Sequence, residues 1–297
     1  MPNADLVAEA FLLLHDAFFD NFGNPKPFHL RDKRNTQDDP LDEHIVNVLV
    51  NRLKDAVCQK SSGPLISPDL TVYRPNLCDN VSQEILRVDT ARIVAIEVKK
   101  LERSAAGEVG RPTGMDYNTT PPCGTVRVYD ADDSPLDIRG FYLFVIQENV
   151  SDKEYIISAL ALCDGNILNE DFDLYLKITS QREKEIGLGT YGNGANRNRP
   201  MLIFSNPLGA SEFDHSATLI NRDTPASADS RLRLVYRIIR TTSDGKQREF
   251  FAYRKANHVI RDRQEQVLTD PFPQPTSRVS ATQARGKFRL PIRPTKR

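Results

Sequence analysis

Three residues carry the chemistry this chain can be expected to do. Asp69 follows Pro68 at the head of the segment PDLTVY, and Glu97 and Lys99 close the run RIVAIEVK that begins at Arg92. Side chains alternate along a strand, so Glu97 and Lys99 share one face while Val98 takes the other. An acid and a base at the end of an otherwise apolar strand are costly to bury without partners. Asp69 supplies one partner if its strand lies beside that of Glu97. Two converging carboxylates repel each other, and a hard divalent cation relieves the repulsion; Mg²⁺, with oxygen ligands and water in its remaining positions, suits them. Asp69 and Glu97 would hold the metal, which would polarise a phosphate and lower the pKa of a bound water. Lys99 would orient or help deprotonate that water, or offset charge on the pentavalent phosphate. The expected reaction is hydrolysis of a phosphodiester.

Pro68-Asp69 followed by Glu97-Val98-Lys99 at the end of an apolar strand resembles the pattern of the PD-(D/E)xK nucleases, and within them the type II restriction endonucleases. The resemblance covers roughly residues 40 to 150. It implies an α/β (α+β) fold of restriction-endonuclease type, a central mixed β-sheet flanked by helices, here with β-rich additions. It also implies Mg²⁺ as cofactor, double-stranded DNA as substrate and a homodimer, since cutting both strands of a symmetric site takes two active sites about a two-fold axis. In many members a helix ahead of the Asp strand adds an acid, and Glu43 matches that place. The segment RPTGMDYNTTPPCGTVRVYD (Arg111 to Asp130) is also similar to restriction-enzyme-like proteins. The plainer reading is a Pro-Asp turn and a solvated Glu/Lys pair on an edge strand. The apolar run before Glu97 argues against it. The gap from Asp69 to Glu97 is long for the pattern. An insertion over Asn76 to Leu86 is therefore expected to loop out, and Asp79, Glu84 and Asp89 are set aside as site residues.

The elements that must position these groups follow from periodicity. Ala4 to Phe22 reads as an amphipathic helix with Leu6, Phe11, Leu14, Phe18 and Phe22 at helical spacing, stopped by Gly23-Asn24-Pro25. Its Phe and Leu content makes it a candidate dimer surface. Lys26 to Pro40 is turn-rich. A second helix is expected from Leu41 to Cys58, with Asp39-Pro40 as its start and Asp42 and Glu43 in the first turn, where carboxylates suit the helix dipole. Strands are expected at Pro68 to Tyr73, Arg92 to Lys99, Phe141 to Gln147, the start of Tyr155 to Cys163, Pro200 to Phe204 and Leu232 to Arg240. Glu249 to Tyr253 is expected to return across Ser243-Asp244-Gly245 as a hairpin partner. Asp171 to Ser180 is ambiguous, and from Asp270 onward the chain reads as irregular. No repeat and no long linker divides it. The expectation is one domain over 1–297, with a catalytic core at about 40–165 and recognition and C-terminal elements at about 166–297.

Several polar segments have the side chains that read base edges or grip phosphates. Asp116, Asn118, Thr119 and Arg127, with Arg111, lie in the loop after the catalytic strand. Asn193 and Arg197 lie in the stretch YGNGANRNR, and Arg261 and Arg263 flank Asp262. Each also has a plain reading as surface loop or solvated face. The segment from Ala281 carries six Lys and Arg and no acid. It is a candidate phosphate binder or an unstructured terminus.

Composition bounds the rest. The chain has 297 residues, 39% hydrophobic and 27% charged, with zero net charge. It is long enough for a sizeable core without staples. Cys58, Cys78, Cys123 and Cys163 show no CxxC or Cys/His spacing, so buried thiols are expected, not zinc. The five histidines do not cluster, and His44 is expected on a helix surface. No Walker-type loop is present, so no nucleotide cofactor is expected. No stretch approaches a membrane span or a signal peptide, and a cytoplasmic location is the default. Two rival functions stand beside site-specific cleavage: a repair or structure-specific nuclease on the same core, and a non-catalytic DNA-binding protein.

Overall fold

The computed structural model describes residues 4–35, 38–63, 66–110, 117–119, 124–168, 190–191, 201–204, 207–222, 229–241, 245–256, 265–272, 276–278 and 286–295. It is a mixed α/β structure with one large mixed sheet and few helices. Helices α1 (Leu6–Phe18) and α2 (Pro40–Arg52) are capped as their sequences dictate. The Asp5 carboxylate accepts from the amides of Val7 and Ala8, and that of Asp39 from Leu41, with Pro40 opening α2. Two short helices follow, α3 (Pro75–Cys78) and α4 (Gln83–Val88).

Nine strands form the path of the sheet: β1 (Val57–Lys60), β2 (Leu70–Tyr73), β3 (Ile93–Arg103), β4 (Pro135–Ser151), β5 (Glu154–Asp164), β6 (Ala217–Asn221), β7 (Leu232–Thr241), β8 (Gln247–Lys255) and β9 (Gln266–Thr269). Their spatial order is β9-β7-β8-β6-β5-β4-β3-β2-β1. The pairs β1/β2, β2/β3 and β4/β5 are antiparallel, while β3/β4 and β5/β6 are parallel. The central strands are apolar on both faces because both are covered. On one side α1 and α2 pack Leu6, Phe11, Leu14, Phe18, Ile45 and Leu49 over Val94, Ile96, Leu143 and Leu160. On the other, Tyr142, Phe144, Ala161 and Ile220 lie under Leu208, Phe213 and Phe272. A third cluster sits beside β2 and the start of β3, where Tyr73, Ile93 and Ala95 meet Leu86 of α4, Val126 and Val128, and Phe288, Leu290 and Ile292.

Several expectations are corrected. The first helix ends at Phe18, and Phe19 leaves it in extended backbone to bridge Pro25. Leu6, Phe11, Leu14 and Phe18, the residues of its apolar stripe, are fully buried in the core, so they are not free to make a dimer surface; Phe22, beyond the helix, is 67% exposed. The second helix ends at Arg52, not Cys58. Leu53 turns to extended backbone, and Cys58 joins β1, whose pairing with β2 competes successfully for these residues. The segment expected to loop out between Asp69 and Glu97 forms α3 and α4. It is anchored by the buried Cys78 and Leu86.

The stretch from Asp270, expected to be irregular, contains a strand at Thr276–Arg278 that pairs with Met201–Phe204, and residues 286–295 are docked and not loose. The Phe288 carbonyl accepts from Tyr129, Leu290 donates to the Tyr129 carbonyl, and Ala131 donates to the carbonyl of Ile292. Alternation buries Phe288, Leu290 and Ile292, while Lys287 and Arg289 turn outward onto Asp133. The described thiols Cys58, Cys78 and Cys163 are free and buried, and burial pushes Cys58 up to about 12. Among the described residues, no helix is long and apolar enough to cross a membrane.

Candidate active site

The site forms where β2 begins and β3 turns polar. Leu70 pairs with Ile96 and Thr71 with Ala95, so the register sets Asp69 across from Glu97. The backbone amide of Val98 donates to Asp69 Oδ2 at 2.7 Å. The other carboxylate oxygen of Asp69 accepts from no described residue. Glu97 is 5% exposed, and both its oxygens are engaged. Oε2 accepts from the Ser67 hydroxyl at 2.8 Å, and Oε1 lies 3.0 Å from Lys99 Nζ. The expected common face of Glu97 and Lys99 is thus realised as an ion pair. Ser67 is itself fully buried, one residue before Pro68. Behind it, Ile66 bridges to Gly286, where a Cβ would meet Ile66 Cγ1 at 2.6 Å.

Electrostatics single out two carboxyls. The Asp69 carboxyl is held well above the usual aspartate range, first by loss of solvent and then by the charges of Glu97 and Asp42; Lys99 and the Val98 amide oppose the shift. Asp42, in the first turn of α2, is pushed up to about 7 by burial and the neighbouring Asp39, with Glu97 adding to it and Lys60 and Lys100 opposing. Glu43 is turned elsewhere. The Arg31 guanidinium donates to it from Nε at 2.8 Å and also grips Asp38, and this pairing lowers the Glu43 carboxyl. Sequence reasoning therefore chose the neighbour of the acid that couples to the site. Helical phase held the missing signal. Asp42 lies three and seven residues before the buried Ile45 and Leu49, on the sheet-facing side of α2, whereas Glu43 falls on the outer side. Ser67 was also missed, and nothing in its own sequence context marks it.

Asp79, Glu84 and Asp89, set aside on sequence, stay away from this corner. Asp79 accepts from the Arg293 amide, Asp89 pairs with Arg92 at 2.7 Å, and Glu84 lies in α4. His44 stacks on Phe28 with ring centroids 4.9 Å apart, and burial lowers its pKa. Of the residues expected to contact DNA, Arg127 pairs with Asp137, its cross-strand neighbour, at 2.8 Å. Asn118 and Thr119 lie on the short strand Tyr117–Thr119, paired with Met201–Phe204. Arg111, Asp116, Asn193, Arg197, Arg261 and Arg263 lie outside the described residues.

Among the described residues, no group of three or more His, Cys, Asp or Glu forms a metal-binding cluster. Asp69 and Glu97 nevertheless fit a hard cation by their chemistry. They are two carboxylates whose mutual repulsion raises one of them, and Asp69 has an oxygen without a donor among the described residues. Searched against protein-family models, curated proteins and solved structures, the chain matches none of them.

Proposed function

We propose that the protein is a Mg²⁺-dependent endonuclease, and more narrowly a type II restriction endonuclease acting as a homodimer on a specific sequence in double-stranded DNA. The observation that carries this reading is the corner itself: Asp69 and Glu97 across from each other on β2 and β3, with Lys99 at 3.0 Å from Glu97. The proposed restriction-endonuclease-like fold is supported by the run of β2, β3, β4 and β5 with α1 and α2 packed on one face. A cytoplasmic site of action goes with this reading.

Asp69 and Glu97 would hold the metal. When bound, Mg²⁺ supplies Lewis acidity to the scissile phosphate and acidifies a water. The chain's own groups do the rest. The Val98 amide fixes the Asp69 carboxylate and leaves one oxygen open. Ser67 and Lys99 fix Glu97 from two sides, so that it cannot swing as charge builds in the transition state. The Lys99 ammonium offsets negative charge on the phosphate. Asp42, with its carboxyl near 7, takes a proton at neutral pH better than an ordinary aspartate would.

The test is incubation of plasmid with the protein and Mg²⁺. Discrete fragments, lost in Asp69→Ala and Glu97→Ala with DNA binding retained, are expected. A smear or cutting confined to branched DNA would replace sequence-specific cleavage by a repair-type activity. No cleavage in Mg²⁺ or Mn²⁺, with DNA still bound, would leave a non-catalytic DNA-binding protein.

A further inference from the structure

A cavity of about 400 Å³ opens between the start of α2, the ends of β3 and β4, and the chain from Leu30 to Lys33. Along β3, Lys100 and Glu102 face it, while Glu97 and Lys99 alternate to the other side of the sheet. The cavity is therefore distinct from the corner of Asp69 and Glu97. Gln147 of β4 lines it, directly across from Glu102 in the parallel β3/β4 register. Gln147 is 5% exposed, and its Oε1 accepts from no described residue. The pairing of β4 with β5 shifts between Ile146 and Gln147, and a bulge of this kind re-aims a side chain. A buried polar atom left unpaired costs stability, so an open acceptor beside a cavity calls for a ligand that donates. We propose that this cavity binds an adenine base, as a free nucleoside or as an unpaired base of a DNA strand, with the Gln147 amide reading its edge.

The charges around the cavity are already answered, so the ligand is not called by charge. Arg31 is held by Asp38 and Glu43, and Arg103 by Glu148 and Asp214, all four outside the lining. Lys100 pairs with Asp39 at 2.8 Å and lies 3.8 Å from Glu102, and Lys153 pairs with Asp32 at 2.9 Å. Among the described residues of the lining, that leaves the exposed Lys33 for a phosphate attached to the base. The uncharged group to be satisfied is the Gln147 amide. It presents an acceptor and a donor side by side, which match the N6 amine and N7 of adenine. Tyr155 and Leu30 add aromatic and aliphatic surface, against which a planar ring can pack. The volume falls within the roughly 300–1000 Å³ of small-ligand sites.

Calorimetric titration in EDTA tests it, with adenosine, purine riboside, uridine and the DNA trinucleotides TAT and TTT as probes. No Mg²⁺-dependent cleavage takes place there, so the assignment stands or falls apart from the nuclease reading. Adenosine is expected to bind. Purine riboside, which lacks the N6 amine, and uridine are expected to bind at least tenfold more weakly, because they leave the Gln147 acceptor unpaired or mismatched. Tighter binding of TAT than of adenosine, with TTT weak, assigns the base to a strand; binding of TAT no tighter than adenosine assigns a free nucleoside. Gln147→Leu puts an apolar side chain in place of the unpaired amide. It is expected to melt no lower than the wild type and to bind adenosine at least tenfold more weakly. The comparison of adenosine with purine riboside needs no variant and holds whether or not Gln147→Leu folds. The assignment is overturned if neither adenosine nor TAT binds at millimolar concentration, if purine riboside or uridine binds as tightly as adenosine or TTT as tightly as TAT, or if folded Gln147→Leu binds adenosine like the wild type.

Discussion

Asp42 and Glu43 are adjacent on the first turn of α2 and have opposite surroundings: Asp42 couples to Glu97 and Asp69 with its carboxyl raised to about 7, while Glu43 is taken by Arg31 and lowered. This separates their expected phenotypes. Asp42→Asn should reduce cleavage by about 10²–10⁴-fold, the range for loss of a general acid or base. Glu43→Gln should stay within a few-fold of wild type. The pH profile adds a second readout. If Asp42 accepts the proton, the wild-type rate should climb through about pH 7 as it ionises, and the Asn variant should lose that limb. A large loss in Glu43→Gln with Asp42→Asn unaffected would return Glu43 to the site.

The raised Asp42 and Asp69 carboxyls also make a stability prediction whose sign is fixed by linkage. A folded-state aspartate near 7, against an ordinary 3.8, binds more protons folded than unfolded between those two values. Stability is therefore lost as pH rises across that window, and the whole penalty is present above about 7. Asp69→Asn and Asp42→Asn should each melt higher than wild type in EDTA at pH 8, and equal to it near pH 4. A gain of about 1–2 kcal/mol would raise Tm by roughly 2–8 °C in a chain of this size. Added Mg²⁺ should raise the wild-type Tm at pH 8 and leave Asp69→Asn nearly unmoved. Equal melting of all three proteins in EDTA at pH 8 would remove the electrostatic strain from the site.

Ser67 donates to Glu97 at 2.8 Å and both are buried, so Ser67 acts through Glu97 and not on substrate. Ser67→Ala leaves one carboxylate oxygen without its donor, at about 1–3 kcal/mol. The expected result is a loss in kcat of about 10–100-fold, with a higher Mg²⁺ concentration needed for half-maximal rate and KM for DNA little changed. Ser67→Thr, which keeps the hydroxyl, should recover part of the rate. A lower Tm with unchanged kcat and Mg²⁺ dependence would make Ser67 a purely structural residue.

The legible part of this protein was its local periodicity. The apolar run from Ile93 to Val98 marked a strand covered on both faces, and Asp39-Pro40 marked the start of α2, because each depends on residues within one element. The pair Glu97 and Lys99 was legible for the same reason. What could not be read depended on partners distant in sequence. Asp69 lies across from Glu97 only because α3 and α4 close the gap onto the third core cluster. Arg31, twelve residues before Glu43, decides where Glu43 turns, and no local pattern announces it. The end of α2 was overrun because Leu53, Val57 and Cys58 keep apolar character past the helix, and the pairing of β1 with β2 is non-local.

The C-terminal segment shows the same limit and yields the last expectation. Its basic composition reads as a tail, yet Phe288 is 2% exposed in the cluster that also holds Ile93 and Ala95, on the same strand as Glu97. Two residues before it, Gly286 pairs with Ile66, the neighbour of Ser67. The segment thus backs the turn that carries Ser67, Pro68 and Asp69. Phe288→Ala should cost about 3–5 kcal/mol, as expected for removing a buried ring. At temperatures where the variant remains folded, it should also lower kcat, because Ser67 loses its support. Lys287→Ala removes an exposed pairing with Asp133 and should cost no more than about 1 kcal/mol. Denaturant melts read the stability changes, and cleavage assays read the second effect. If Phe288→Ala behaves like Lys287→Ala in both, the C-terminal segment does not support the candidate site.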